Sequence, residues 1–187
     1  MSHDLTTGSD RRSFLQAGVA ATAAIGTASA LKAQEPAAKA ASVLPTRKLG
    51  KTGVEITMLE MGTGALRERG VLDRLLRLSF ASGVRTYDTA NVYGTEPGFK
   101  DWFEKSPEVR KQIVLVTKDE IKSTQQMPKM LDQRLAALGT DYVDFYFLHG
   151  LGDHHSVDEC INIVKSQEVK ETADAIRKSG KAKFIGL

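Results

Sequence analysis

From residue 46 onward the apolar positions follow two rhythms. Short dense runs of β-branched and aromatic residues read as strands, and runs with an apolar residue every third or fourth position read as helices. Arg47–Ile56 holds Gly50 and Gly53 between short extended pieces, a hairpin signal. Ile56–Met61 is a second extended run, ending at Gly62-Thr63-Gly64. Leu72, Leu75, Leu76 and Phe80 then recur at helical spacing until Gly83, and an extended stretch Val84–Ala90 follows. Glu96–Arg110 is polar, with Trp102 and Phe103 as packing residues, and predicts a short helix. Ile113–Thr117 is a continuous apolar run of the kind found in strands buried on both faces. Pro128 opens a helix at its first position, Met130, Leu131, Leu135 and Leu138 give it an apolar stripe, and Gly139 closes it. Val143–Leu148 is the next strand and ends at His149. After a loop over Gly150–Ser156, one long helix is expected to about Lys178, then Gly180 and a last strand over Phe184–Leu187.

The strand ends fall near Gly62, Asp88, Lys118, His149 and Gly186, roughly thirty residues apart. Strand and helix alternating at that interval is the βα repeat of a parallel sheet. In such an array all strand ends point one way, and the carboxyl rim is where active sites form. Asp88, Lys118 and His149 each terminate an apolar strand, and Tyr93 lies just past Asp88. Polar residues also end strands for no functional reason. Here, however, three successive tips carry chemically complementary ionisable groups, on strands only ~4.8 Å apart.

A phenol ordinarily titrates near pH ~10, too high for easy proton exchange at neutrality. A neighbouring ammonium favours its ionised form, and a carboxylate fixes that ammonium in place. The arrangement therefore suggests Tyr93 as general acid/base, Lys118 as its electrostatic partner, Asp88 as the partner of Lys118, and His149 as a donor that orients a substrate oxygen. This set suits protonation of a carbonyl oxygen while hydride arrives at its carbon. It does not supply the hydride, which implies a nicotinamide.

Composition narrows the field. The 187 residues are 41% hydrophobic and 26% charged with a net charge of +3, ordinary for a globular chain. Basic residues are dispersed among acidic ones, without the basic, aromatic-interleaved blocks of a nucleic-acid binder. The one cysteine, Cys160, excludes an internal disulfide and is read as a small buried apolar residue. Asp153-His154-His155 could suggest a metal site, but a solvated polar loop is the preferred reading and no metal is expected. Arg11-Arg12 ahead of Phe14-Leu15, a weakly apolar run and Ala28-Ser29-Ala30 have the layout of a signal peptide similar to twin-arginine (Tat) export signals. Residues 1–30 are therefore expected to be a signal peptide and 31–45 a flexible leader, with no stable membrane span and an extracytoplasmic destination through the Tat machinery.

Over Arg47–Leu187 the chain resembles the aldo-keto reductase family. The residues that carry the resemblance are RKLGKTGVEIT at the entry, MGTG (Met61–Gly64), DTANVYG (Asp88–Gly94), VTK (Val116–Lys118), LGTDYVDFYFLHG (Leu138–Gly150) and GKAKFIGL (Gly180–Leu187). The resemblance implies an α/β fold, a (β/α)8 TIM barrel with about its first five strands in residues 46–187. It further implies a catalytic tetrad of Asp88, Tyr93, Lys118 and His149, cofactor contacts at Gly62, Thr63 and Asp88, and NADPH, with NADH the alternative, reducing a small carbonyl substrate. Thr95-Glu96-Pro97-Gly98 stands where the family often has Ser-Glu, which leaves the start of that helix open. A full barrel takes ~250 residues. The chain is thus expected to be a truncated sequence, inactive by itself and prone to aggregate at open strand edges. An iron–sulfur cluster would be expected only if a cysteine-bearing segment followed Leu187. Two other readings differ in kind. Gly62-Thr63-Gly64 imitates a Rossmann fingerprint but has Arg67 at its last position. A reductase-like barrel could also serve as a nicotinamide-binding sensor or partner-binding module with little turnover.

Overall fold

A computed structural model describes residues 44–186 apart from Arg67 and Lys122. The expected signal peptide and nearly all of the leader lie outside the described residues. Among the described residues no helix is long and apolar enough to cross a membrane.

The chain enters through the expected hairpin: β1 (Thr46–Lys48) pairs antiparallel with β2 (Glu55–Thr57), and Gly53, at φ 74°, supplies the left-handed turn. The single extended run expected over Ile56–Met61 is two strands in two sheets. Thr57 causes the break. Its hydroxyl donates to the Leu59 carbonyl (2.7 Å), and its N–H donates to Thr86 Oγ1 (3.0 Å), so the chain folds round at Met58-Leu59.

The second sheet contains β3 (Glu60–Gly62), β4 (Thr86–Asp88), β5 (Val114–Asp119), β6 (Val143–Leu148) and β7 (Ala182–Gly186), all parallel and adjacent in chain order. Helices α1 (Arg69–Ala81), α2 (Glu96–Lys105) and α3 (Met127–Leu138) occupy the first three crossovers. The last crossover holds α4 (Leu151–His154), α5 (Val157–Lys165) and α6 (Gln167–Lys178). The strand order never reverses, so the sheet has no switch point of the doubly wound kind, and the Rossmann alternative falls away. Five strands in unbroken succession are instead the progression of a βα barrel.

Other boundaries differ from expectation: β4 is Thr86–Asp88 rather than Val84–Ala90, β7 starts at Ala182 rather than Phe184, and the expected Gly150–Ser156 loop holds α4. β5 runs through Lys118 to Asp119, because β6 continues to pair with it as far as Asp119 and Leu148. The helix expected after Ser156 as far as Lys178 starts there but is divided, because Ser166 acts as a second N-cap rather than as part of a polar face. Ser156 forms a capping box with Glu159, and the Ser166 hydroxyl accepts from Val169 N–H. Pro128 is the second residue of α3, after Met127.

Side chains alternate across each strand. Tyr87, Leu115, Tyr146 and Leu148 point outward and pack with Leu72, Leu76, Phe99, Trp102, Leu131 and Leu138 of the helices in one core. Val114, Val116 and Lys118 on β5 and Phe145 and Phe147 on β6 point to the other, inner face, where Phe145 stacks on Phe184 (5.1 Å between centroids). A cavity of about 190 Å³ lies on that face, lined by Glu60, Thr86, Asp88, Val116 and Phe147 among others. Cys160 is half-buried on α5, its thiol toward the Leu151 carbonyl (3.2 Å), rather than the buried residue expected.

Candidate active site

Register decides which side chains can meet. Asp88 is level with Val116, and Lys118 lies two residues further up the same face of β5. The Lys118 ammonium therefore reaches back over the tip of β4. It donates to Asp88 Oδ1 (2.6 Å), to the Thr89 carbonyl (3.0 Å) and, at the outer limit, to Tyr93 Oη (3.5 Å). An ammonium has three N–H groups, and all three are assigned.

Tyr93 comes from the single 3-10 turn Asn91–Tyr93, which ends at Gly94 in the left-handed region. Its ring meets the His149 ring edge-on, 5.6 Å between centroids and at 90°. His149 follows β6 and is fixed by its N–H, which donates to the Asp119 carbonyl (2.9 Å). Its Nδ1 is buried without a hydrogen-bond partner among the described residues. The structure thus gathers Asp88, Tyr93, Lys118 and His149 from four segments at one rim.

The residues expected to touch a cofactor divide. Gly62 is level with Asp88 at the tip of β3 and exposed, and a Cβ placed on it would meet no heavy atom within 4 Å. A flat group can therefore lie against this backbone, beside Asp88. Thr63 is fully buried, so its side chain supports the tip from beneath rather than facing a ligand. Its hydroxyl donates to the Asp88 carbonyl (3.0 Å), and its proton is thereby spent. Thr95 must then donate to Thr63, and Thr89 to Thr95, each across 2.8 Å. This buried chain of hydroxyls explains why Thr95, at the N-cap position of α2, makes no cap: its side chain is turned inward.

Four neighbours were not among the site residues expected from the sequence. Gly64 backs the Tyr93 ring, where an added Cβ would lie 3.3 Å from Cζ. Glu60 precedes Gly62 by two residues and shares its face; strand alternation was the signal for it. Burial, and then the Asp88 charge, push its carboxyl above the usual range, against the pull of Lys118. Glu96 and Arg134 form the third and fourth. Glu96 is 2% exposed, accepts from Thr117 Oγ1 (2.7 Å) and pairs with Arg134 (2.8 Å). Burial raises its carboxyl, with Thr117 and Arg134 opposing. The helix start left open by Thr95-Glu96-Pro97-Gly98 is thus held by buried polar contacts. Among the described residues, which leave out the His154 side chain, no group of three or more His, Cys, Asp or Glu could hold a metal ion.

Fold and site together define a class: a parallel βα barrel architecture with a phenol, an ammonium, a carboxylate and an imidazole gathered on its carboxyl rim. The aldo/keto reductase family profile matches residues 58–187, and the chain belongs to that family. It is 29% identical over 127 residues to an NADPH-dependent alpha-keto amide reductase of Saccharomyces cerevisiae, covering 67% of this chain and 39% of the relative. It is 27% identical over 164 residues to an L-glyceraldehyde 3-phosphate reductase of Escherichia coli, covering 75% and 44%. Among solved structures, a Pseudomonas aeruginosa chain described as of the aldo-keto reductase type superposes with a TM-score of 0.63 at 23% identity, covering 76% of this chain and 59% of that one. The chain spans less than half the length of the curated relatives it matches.

Proposed function

We propose that the protein reduces the carbonyl group of a small aldehyde or ketone, with hydride from NADPH and a proton from Tyr93. One observation carries this reading: a single ammonium, Lys118, is shared between the Asp88 carboxylate and the Tyr93 phenol. Because Lys118 donates to the phenol oxygen, the phenol's own proton is directed away from it, toward a substrate. Asp88 and the Thr89 carbonyl hold the ammonium in place, so its charge steadies the phenolate that forms as the proton leaves. His149, edge-on to Tyr93, offers a ring N–H to the same substrate oxygen. The open backbone at Gly62, beside Asp88, would hold the nicotinamide, which supplies the hydride when bound.

The name of the yeast relative supports NADPH over NADH, and comparing turnover with each tests that choice. The central test is Tyr93→Phe in the complete protein, with an aromatic aldehyde as probe. Loss of NADPH oxidation by about 10²–10⁴-fold is expected, the usual contribution of a positioned acid. Unchanged oxidation removes Tyr93 from the mechanism and the reading with it. We also propose export, on the strength of Arg11-Arg12 and the run after them. Replacing both arginines by lysine should hold the protein in the cytoplasm; unaltered fractionation would refute export by this route.

A further inference from the structure

Outside the four proposed catalytic groups, the largely buried guanidinium of Arg134 faces two buried carboxylates, Glu96 and Asp119. Helix α3 turns Leu131, Leu135 and Leu138 into the core, which leaves Arg134 on its flank, facing the start of α2. Its side chain is only 12% exposed. The guanidinium meets Glu96 Oε2 at 2.8 Å and Asp119 Oδ2 at 3.6 Å, and it donates from Nη1 to Asn91 Oδ1.

Each of these three partners lies next to a proposed site residue. Asn91 opens the turn that ends at Tyr93. Glu96 opens the helix that leaves that turn. Asp119 follows Lys118 directly, and its carbonyl receives the N–H of His149. Glu96 is anchored independently by Thr117, and Asp119 by the Tyr146 hydroxyl (2.8 Å). Beyond the contacts of the Tyr93 ring with Gly64, His149 and Lys118, the turn is held by local bonds. Asn91 and Val92 are exposed, and its backbone is closed by two local bonds, Tyr93 N–H to Ala90 O (3.1 Å) and Gly94 N–H to Asn91 O (3.2 Å).

We propose that Arg134 is a positioning residue for Tyr93: through Asn91 it fixes the turn that carries the phenol, while Glu96 and Asp119 fix Arg134. The planar guanidinium presents several donors in one fork, so one side chain can bind three segments at once; a lysine ammonium is a single point charge on a flexible stem. The tolerance at the site is small. Tyr93 Oη and Lys118 Nζ are 3.5 Å apart, so a few tenths of an ångström of drift breaks the contact. This inference rests on the proposed role of Tyr93 as proton donor.

The test compares Asn91→Ala, Arg134→Met and Arg134→Lys in the complete protein, with NADPH and the aromatic aldehyde probe. Asn91 is exposed, so its truncation removes the strut without stranding a buried charge. Asn91→Ala and Arg134→Met are expected to lower kcat about tenfold or more, since misplacement by ~1 Å costs up to 10²-fold. The NADPH dissociation constant should stay within about twofold, because neither side chain faces Gly62. Arg134→Lys is expected to fall between Arg134→Met and wild type. Amide hydrogen exchange at Tyr93 and Gly94 should quicken in Asn91→Ala relative to β5 and β6. Wild-type kcat and wild-type exchange in Asn91→Ala, with only a lowered Tm in Arg134→Met, would reduce Arg134 to a structural ion pair and overturn the proposal. If Tyr93→Phe is fully active, the reaction reading fails separately. The exchange at Tyr93 and Gly94 then decides the positioning claim alone: faster upholds it, unchanged overturns it.

Discussion

At the scale of single residues, the site depends as much on what is absent from Gly64 as on what is present at Tyr93. An alanine Cβ at Gly64 would sit 3.3 Å from Tyr93 Cζ, slightly tighter than ordinary van der Waals contact, with two more ring atoms at 3.4 and 3.5 Å. The ring must give way, and the contact it would lose is the longest in the site, the 3.5 Å approach to Lys118. Gly64 is exposed and has no core neighbour of its own, so Gly64→Ala should leave stability nearly unchanged while lowering kcat by about fivefold or more. Steady-state kinetics read beside a thermal melt test this; an unchanged kcat would show that the ring has room to move. Asp88, Lys118 and His149 were legible in the sequence because each is the first ionisable residue at the end of an apolar run. Gly64 was not, since its significance depends on a ring 29 positions away in the chain that only folding brings against it.

At the scale of elements, glycine decides a second contact, between α1 and α2. A Cβ on Gly98 would lie 2.4 Å from Leu72 Cδ2, a distance real atoms do not reach. Leu72 is 1% exposed, so it has no free volume into which to turn. Gly98→Ala thus sets two effects against each other. Alanine gains about 1 kcal/mol of helix propensity over glycine. Overpacking a filled core costs about 1–3 kcal/mol. Overpacking is expected to win, giving a lower urea midpoint with an unchanged slope; a higher midpoint would mean that the two helices separate at little cost. The same scale shows what sequence patterns could and could not reveal. β6 was found at its observed limits, because VDFYFL is bounded by polar residues on both sides. The stretch from Val157 to Lys178 was read as one helix, because Ser166 looks like an exposed helix position until its cap is seen. Ile56–Met61 was read as one strand because nothing in its composition shows that the Thr57 hydroxyl folds the chain back on itself.

At the scale of the whole molecule, the two ends of the sheet treat buried charge differently. At the amino end, Arg110 and Asp144 pair at 3.0 Å, and every partner is supplied: the Ile113 and Tyr142 carbonyls for the guanidinium, and Leu115 N–H and Lys183 for the carboxylate. At the carboxyl end, Arg134 faces two buried carboxylates, and Asp119 Oδ1, Arg134 Nε and His149 Nδ1 lack hydrogen-bond partners among the described residues. The satisfied cluster lies where barrels are stabilised, and the unsatisfied one under the rim where they react. Neither could be read from the sequence, since Glu96 and Arg134 stand 38 positions apart. The carboxyl-end cluster makes stability depend on pH. Burial raises Glu96 and Asp119 above their ordinary values of 4.5 and 3.8, and Arg134 opposes the rise in both. A carboxyl with a raised folded value holds its proton more tightly when folded. Its favourable contribution is present when protonated and is lost as pH climbs from the ordinary value through the raised one. Arg134→Met removes the opposing charge, so both values rise further and the loss extends to higher pH. At neutral pH, breaking a buried pair from one side costs about 3 kcal/mol, or roughly 6–12 °C in Tm for a chain of this size. At pH ~4 both carboxyls of the variant are largely protonated, and most of that gap should close. Melting Arg134→Met beside wild type from pH 4 to 8 checks it: a gap that widens with pH is expected, and a gap constant across the range would show that Glu96 and Asp119 are not held ionised by Arg134.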